Sequence, residues 1–258
     1  MAVKTTSMHL KDQHIMVSGG CSGIGWATAC HAATAGAQVT VLDLTPPPAQ
    51  VEGISYAECD VTRIEHWQQV ASAYPCPQHL FLNAGVMSAP NGATADAYQF
   101  SATDAAAYQR IRAVNLDGVV FGLQTWLPLM PRDASVVVTA SLAGLHAYPF
   151  DPLYALTKHG LVGLVKSLAP NLRAQGIKLH ALCPDRVDTR LLPEATRSRG
   201  YLDPEVVAAA VCQLFNEPSS GFAWALDLQS GSTGEVPLRR VPGPGSGWRQ
   251  RLRRLFHN

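Results

Sequence analysis

Short apolar runs alternate with longer amphipathic stretches along most of this chain. The short runs are rich in Val, Ile and Leu, which is typical of strands buried on both faces of a sheet. They lie at 14–18, 38–42, 79–82, 135–139, 178–182 and 222–226. Between them, apolar residues recur at helical spacing and predict helices at 24–35, 63–72, 103–130, 152–174 and 203–215.

This alternation predicts an α/β protein with a doubly wound parallel sheet, of about seven strands with helices on both faces. We expect residues 1–238 to form one domain and residues 239–258 to form a basic tail joined by a Gly/Pro-rich linker. A chain of 258 residues is long enough for one α/β domain of this type.

Prolines mark where the predicted elements begin and end. Pro46–Pro48 cannot continue a strand or a helix, so that segment is predicted to be a loop. Asp151 and Pro152 suit the N-cap and the first position of a helix. Pro170 lies late in the same helix, and we expect it to kink or end that helix.

The charge of the chain is unevenly distributed. The formal net charge is +1, yet residues 239–258 contain six arginines and no acid, so the remainder has five more acidic than basic residues. An acidic body gives no electrostatic reason to expect nucleic-acid binding. We expect a linker at 239–247 and a short helix at 248–258 that is solvated or packed on a neighbouring subunit. Contact with an acidic partner or a membrane surface is the alternative.

Composition excludes several classes of protein. Hydrophobic residues make up 47% and charged residues 15% of the chain, which excludes a disordered protein. We see neither a signal peptide nor an apolar run of the ~20 residues that a membrane span needs. The six cysteines lack C-x-x-C spacing and the nine histidines lack H-x-x-x-H spacing. These features predict reduced thiols, a cytoplasmic location and no catalytic metal.

A glycine-rich turn, SGGCSGIG at 18–25, follows the first predicted strand and opens the first predicted helix. Glycine permits positive φ and lets backbone N–H groups approach a phosphate. The helix N-terminus adds partial positive charge. At a first strand–turn–helix junction this pattern predicts a dinucleotide site, with a plain structural turn as the alternative.

Asp43 ends the second predicted strand, 18 residues after Gly25. A carboxylate at this place can accept both ribose hydroxyls of an adenosine, and it would repel a 2′-phosphate. Leu44 follows it, and the turn contains no Arg or Lys that could receive such a phosphate. We therefore predict NAD rather than NADP, with a solvated strand-end acid as the alternative.

Three polar residues form the candidate reactive group. Tyr154 and Lys158 lie four residues apart, on one face of the helix that begins at Pro152. A phenol has a pKa near 10, and a neighbouring ammonium favours the phenolate and lowers that pKa, which suits general acid–base work. Ser141 follows a predicted strand, at the sheet edge where such proteins bind ligands. A surface helix pair and a capping serine are the alternatives.

The order and spacing of these motifs resemble the short-chain dehydrogenase/reductase family, in its compact single-domain branch. Residues 18–25 resemble the family's T-G-x-x-x-G-x-G turn, residues 82–85 (LNAG) its N-N-A-G motif, and residues 184–189 (PDRVDT) its P-G-x-V-x-T motif. The resemblance covers about residues 10–235. Ser18 and Leu82 replace Thr and Asn, and Asp185 replaces a glycine beside the expected nicotinamide pocket.

The resemblance implies a Rossmann fold, a homo-oligomer (dimer or tetramer) and roles for individual residues. Tyr154 would exchange the proton, while Lys158 would lower its pKa and bind the nicotinamide ribose. Ser141 would orient the substrate oxygen, and Asn115 would hold a water of a proton relay through its main-chain carbonyl. The implied NAD-binding residues are Ser18, Gly19, Cys21, Ser22, Gly23, Ile24, Gly25, Asp43, Leu44, Asp60, Val61, Asn83, Ala84, Gly85, Tyr154, Lys158, Pro184, Val187 and Thr189.

The loops that follow the strands carry mostly apolar side chains. The expected substrate contacts are Ser141, Leu142, Ala143, His146, Tyr148, Asp185 and Leu191. We therefore predict an NAD-dependent oxidoreductase, an alcohol dehydrogenase or carbonyl reductase, that interconverts a hydrophobic secondary alcohol and its ketone. The alternative is a catalytically idle NAD(H)-binding regulatory protein on the same fold.

Overall fold

Eight strands form one sheet in the part of the chain that the structure describes. This structure is a computed structural model, and it describes residues 10–88, 100, 104–191, 200–228 and 238–242. The strands are β1 (His14–Ser18), β2 (Gln38–Asp43), β3 (Ile54–Glu58), β4 (His79–Leu82), β5 (Ser135–Thr139), β6 (Lys178–Pro184), β7 (Phe222–Leu226) and β8 (Leu238–Arg240). Their spatial order is β3-β2-β1-β4-β5-β6-β7-β8.

Helices cover both faces of this sheet. They are α1 (Gly23–Thr34), α2 (Ile64–Ala73), α3 (Ala105–Arg112), α4 (Gly118–Trp126), α5 (Pro152–Ala174) and α6 (Pro204–Phe215). Strands β1 to β7 pair in parallel, and β8 pairs antiparallel with β7. The strand order reverses beside β1, which opens a crevice at the carboxyl ends of β1 and β4. The doubly wound α/β prediction is confirmed.

Alternate residues of each central strand serve two separate cores. In β1, Met16 packs into the core that contains Trp67 of α2 and Trp126 of α4. Its neighbours Ile15 and Val17 point the other way, into the core that includes residues of α1 and α6. All five side chains are fully buried. Burial on both faces explains why the central strands are continuous apolar runs.

Two strands were missed by the sequence analysis, and both lie at the edges of the sheet. In β3 only Ala57 is buried, so no apolar run marks the strand. Strand β8 has three residues, and Arg239 and Arg240 belong to it. This corrects the predicted linker, because Arg240 lies 3.1 Å from the centroid of the Phe222 ring and Arg239 bonds Asp227 at 3.2 Å. The predicted helix at 248–258 lies outside the described residues.

The predicted helix at 103–130 is divided. A π-helical turn at Ala113–Asp117 separates α3 from α4 and carries Asn115. A π turn inserts one residue into the helical repeat and is common at functional sites. No helix in the described ranges is long and apolar enough to cross a bilayer.

The structure of α5 confirms the prediction for Asp151 and Pro152, and it excludes one of the two effects that were expected of Pro170. Asp151 caps the helix by accepting a hydrogen bond from the Tyr154 amide, and Pro152 occupies its first turn. Pro170 does not end the helix, which continues to Ala174. The buried side chains of Ala169 and Leu172, on either side of Pro170, keep this part of the helix packed on the sheet.

Candidate active site

A cleft of about 860 Å³ opens at the carboxyl ends of the central strands. All seven expected substrate residues line it, and so do all the expected cofactor residues except Ser18, Cys21 and Gly25. Of the expected catalytic residues, Ser141, Tyr154 and Lys158 line the cleft, whereas Asn115 is fully buried behind it. Residues of the glycine-rich turn and of the motifs at 82–85 and 184–189 therefore meet the reactive group in one place.

The cofactor residues that are absent from the cleft surface shape it from behind. The Ser18 hydroxyl accepts hydrogen bonds from the backbone amides of Asn83 (3.0 Å) and Ala84 (3.4 Å). The Cys21 amide donates to the Asp43 carboxylate at 3.0 Å. These bonds hold the glycine turn against the ends of β2 and β4. The replacement of Thr by Ser18 keeps the hydroxyl that this contact uses.

The glycines of the turn are required by close backbone approach. Gly19 has φ of +61°, and a Cβ there would lie 2.8 Å from the Cα of Ala84. A Cβ at Gly25 would lie 2.0 Å from the Gly19 carbonyl oxygen. A Cβ at Gly23 would lie 2.9 Å from the methyl carbon of Thr189, so the loop after β6 closes over the turn. A narrow backbone cradle at a helix N-terminus fits a pyrophosphate.

The acidic residues beside the turn fit the adenosine end of a dinucleotide. Asp43 is half-buried, and its carboxylate accepts the amides of Cys21 (3.0 Å) and Leu44 (2.8 Å). A carboxylate has about four acceptor positions, so it can still receive ribose hydroxyls. Asp60 also lines the cleft, where its side chain accepts two hydrogen bonds from Thr62.

The reactive end of the cleft is built where β5 meets α5. Ser141 follows β5 and caps a short 3₁₀ turn by accepting the Ala143 amide at 3.1 Å. The capping interpretation and the catalytic one are therefore both compatible with its position. The Lys158 ammonium lies 5.4 Å from the centroid of the Tyr154 ring and donates to the Thr139 carbonyl at 2.7 Å.

Burial shifts the pKa values of both titratable groups in this pair. It raises the pKa of Tyr154 above its ordinary value, and a hydrogen bond with Ser141 opposes that rise. It lowers the pKa of Lys158 to about 8, against an opposing effect of Cys183. The expected lowering of the Tyr154 pKa by the ammonium is therefore corrected, because desolvation of the phenolate is the larger effect. At neutral pH the shift of Lys158 brings its charged and neutral forms closer in energy, whereas the shift of Tyr154 favours its protonated form.

The Asn115 side chain connects three parts of the chain by hydrogen bonds. Its amide group accepts from the Val86 amide at 2.8 Å and donates to the Val86 carbonyl at 2.9 Å. It also donates to the Thr157 hydroxyl at 3.1 Å. These bonds join the π-helical turn to the segment after β4 and to α5. The main-chain water relay implied by the resemblance remains a prediction.

Thr139 and Gly144, which position Lys158 and the turn beside it, were missed by the sequence analysis. Thr139 supplies the carbonyl that receives Lys158, and its hydroxyl donates to the Asn83 side chain at 3.0 Å. A Cβ at Gly144 would lie 2.6 Å from the Lys158 carbonyl oxygen, so this glycine lets the 3₁₀ turn approach α5. Neither residue has a spacing signal, because each contact depends on how the loops fold over the strand ends.

Aromatic rings form the wall next to the reactive tyrosine. The Tyr148 ring lies 6.1 Å from that of Tyr154 and 5.6 Å from that of Phe150, between centroids. Phe150 also lines the cleft, and sequence analysis did not identify it. Asp185, which replaces the family's glycine, lines the cleft and accepts the Arg186 amide at 2.8 Å.

Curated relatives are similar in sequence to most of this chain. The chain is 28% identical over 221 residues to levodione reductase of Leifsonia aquatica, and the aligned region covers 79% of each protein. It is 31% identical over 204 residues to the short-chain dehydrogenase/reductase prx4 of Penicillium roqueforti, and the aligned region covers 73% of this chain and 61% of that protein.

Solved structures show the same fold at low sequence identity. A 3-ketoacyl-(acyl-carrier-protein) reductase from Brucella melitensis, complexed with NADH, has a TM-score of 0.76 at 22% identity and covers 84% of this chain and 98% of its own. The structure of ElxO with NADP bound has a TM-score of 0.72 at 21% identity and covers 84% and 97%.

The family model matches most of the described domain. The model described as enoyl-(acyl carrier protein) reductase matches residues 19–222, from the glycine turn to the start of β7. With the fold and the motifs that meet in the cleft, this match shows that the chain is a member of the short-chain dehydrogenase/reductase family of oxidoreductases.

Proposed function

We propose that this protein is an NAD-dependent oxidoreductase that interconverts a hydrophobic secondary alcohol and its ketone. The observation that carries the proposal is the shape of the cleft. Ser141, Tyr154 and Lys158 face one end of it, while the glycine turn and Asp43 form the other. A dinucleotide that spans these two ends would place its nicotinamide beside the Tyr154 hydroxyl.

The chain's own groups would manage the proton of this reaction. The bound nicotinamide supplies the hydride acceptor for oxidation and the hydride donor for reduction. Tyr154 takes the proton from the alcohol oxygen in oxidation and returns it to the ketone oxygen in reduction. Ser141 hydrogen-bonds the substrate oxygen, and Lys158 stabilises the phenolate with its charge.

The choice of NAD over NADP is supported by the surroundings of Asp43. Its carboxylate would meet the 2′ position of the adenosine ribose, where it attracts a hydroxyl and repels a phosphate. The next residue, Leu44, is 63% exposed and offers no positive charge. The solved relatives include complexes with NADH and with NADP, so the proposal rests on these two residues.

The proposal of an apolar substrate is supported by the lining of the reactive end. Leu142, Ala143 and Leu191 lie there with the aromatic rings of Tyr148 and Phe150. An apolar ring or chain would gain roughly 25 cal/mol for each Å² of surface that it buries against this wall. The lining also contains polar side chains, His146, Asp185, Arg186 and Arg190, and they could receive a second polar group of the substrate.

The test is an absorbance assay at 340 nm with each cofactor. Purified protein is offered NAD⁺ or NADP⁺ with 1-phenylethanol, cyclohexanol and a 3-hydroxysteroid, and NADH or NADPH with the matching ketones. We expect turnover with NAD(H), and a Tyr154→Phe variant should lose roughly 10²- to 10⁴-fold in kcat while it still binds NADH.

Two outcomes would contradict the proposal. If the Tyr154→Phe variant retained turnover, Tyr154 would not be the acid–base group of the reaction. Tight NADH binding without turnover on any alcohol or ketone would favour the idle regulatory protein instead.

We also propose that the protein acts as a homo-oligomer in the cytoplasm. The proposal is supported by Leu156 on α5 and Tyr108 on α3, which are 53% and 42% exposed and would be covered if these two helices packed on a second subunit. The six cysteines are unpaired, as they would be in a reducing compartment. Light scattering after size-exclusion chromatography would distinguish a monomer from a dimer or tetramer.

A further inference from the structure

Three aspartates cap helices in the described part of the chain, and one of them differs from the others. Asp104 caps α3 and Asp203 caps α6, each from an exposed position. Asp151 caps α5 but is fully buried. Burying a carboxylate costs several kcal/mol unless hydrogen bonds compensate. Helix capping alone does not require that cost, since exposed aspartates do the same work at α3 and α6.

The buried carboxylate of Asp151 joins two walls of the cleft. One oxygen accepts the Tyr154 amide at 2.9 Å and the Ser88 hydroxyl at 2.5 Å. The other accepts the Ser88 amide at 2.7 Å. The same side chain therefore holds the backbone of the reactive tyrosine and the end of the segment that follows β4.

That segment, Val86–Ser88, is held at each of its residues. Asn115 holds Val86 through two hydrogen bonds, and the Arg110 guanidinium donates to the Met87 carbonyl at 3.0 Å. Asp151 holds Ser88. Val86 and Met87 line the cleft, so the position of this segment determines the distance between that wall and the Tyr154 ring.

We propose that Asp151 is a positioning residue, which acts through Tyr154 and Ser88 to set the distance between the tyrosine and the Val86–Ser88 wall of the cleft. The inference rests on the proposed oxidoreductase activity. It differs from simple capping because Ser88 must be held as well. A misplacement of about 1 Å in a catalytic group can cost roughly 100-fold in rate.

A serine substitution separates the two roles. Serine is a good N-cap, so Asp151→Ser keeps a cap for α5 but loses the second oxygen that holds the Ser88 amide. We expect Asp151→Ser to stay folded with a Tm that is lowered by several degrees, because the buried Ser88 amide loses its acceptor, to bind NADH normally and to lose roughly 10- to 100-fold in kcat. Ser88→Ala should lose kcat in the same direction by a smaller factor. Asp203→Ser, at the α6 cap, is the matched control and should keep its kcat.

Amide hydrogen exchange tests whether Asp151 holds the Val86–Ser88 segment, and it needs no enzyme turnover. Exchange at Val86–Ser88 should be faster in Asp151→Ser than in the wild type, and unchanged in Asp203→Ser. Unchanged exchange in Asp151→Ser would overturn the proposal, and so would an unchanged kcat in an active enzyme. If exchange is faster in Asp151→Ser but the wild-type protein turns over no substrate, the contact between Asp151 and Ser88 would be supported. The proposed oxidoreductase function would then be contradicted.

Discussion

The two ends of the cleft are built on different physical principles. The dinucleotide end, at the glycine turn, is shaped by backbone: Gly19 and Gly25 leave no space for a Cβ, and Asp43 is held by backbone amides. The reactive end depends on two buried titratable side chains, Tyr154 and Lys158, whose pKa values burial shifts.

This difference predicts how each end responds to change. At the dinucleotide end, shape decides whether the ligand can enter, so substitutions there should alter binding. At the reactive end, protonation decides whether the reaction proceeds, so substitutions and pH should alter rate. The Thr139–Asn83 hydrogen bond links the two ends, since the Asn83 side chain also donates to the Gly19 carbonyl at 3.2 Å.

The largest expected effect of shape is at Gly25. In Gly25→Ala the new Cβ would lie 2.0 Å from a backbone oxygen, which cannot move aside, so the turn must open. We expect NADH affinity to fall roughly 100-fold, the loss that follows when two charge-assisted hydrogen bonds fail. Fluorescence titration with NADH measures this.

Gly163→Ala is the control for that variant, because a Cβ at Gly163 meets nothing within 4 Å. It should bind NADH normally and gain up to about 1 kcal/mol of stability from the better helix propensity of alanine. Equal affinity of the two variants would refute the role given to the shape of the turn.

A smaller effect is expected where charge, rather than shape, acts at the dinucleotide end. Asp43→Ser combined with Leu44→Arg removes the repulsion of a 2′-phosphate and adds a donor for it. The ratio of kcat/KM with NADPH to kcat/KM with NADH should rise roughly 10- to 100-fold, the value of one charge-assisted hydrogen bond. A wild-type enzyme that already prefers NADPH would show that Asp43 does not select the cofactor.

The most modest effect is a pH dependence at the reactive end. A pKa lowered to about 8 means that the Lys158 ammonium is present below that pH and is lost as the pH rises through it. The kcat/KM for NADH, which reports the free enzyme, should therefore be level below pH ~8 and fall about tenfold per pH unit above it. In Lys158→Arg the guanidinium stays charged, so the decline should disappear even if the variant is slow. If the decline above pH ~8 persists in Lys158→Arg, a group other than Lys158 causes it.

The sequence was sufficient to predict the central strands, the helices α1, α2, α5 and α6, and most of the residues that line the cleft. Apolar runs buried on both faces are a strong local signal, and β1 and β5 were predicted with their observed bounds. The edge strand β3 was missed because only Ala57 of its five residues is buried. The π-helical turn at Asn115 was missed because the apolar pattern continues through it.

What the sequence by itself determined is the order of the motifs and the kind of group that each one supplies. Only the tertiary structure decided which groups touch. It placed Ser88 on the buried Asp151 carboxylate, 63 residues away along the chain, and it placed Lys158 on the Thr139 carbonyl. It also decided the direction of the Tyr154 pKa shift, because desolvation depends on everything that surrounds the hydroxyl and not on the four-residue spacing to a lysine.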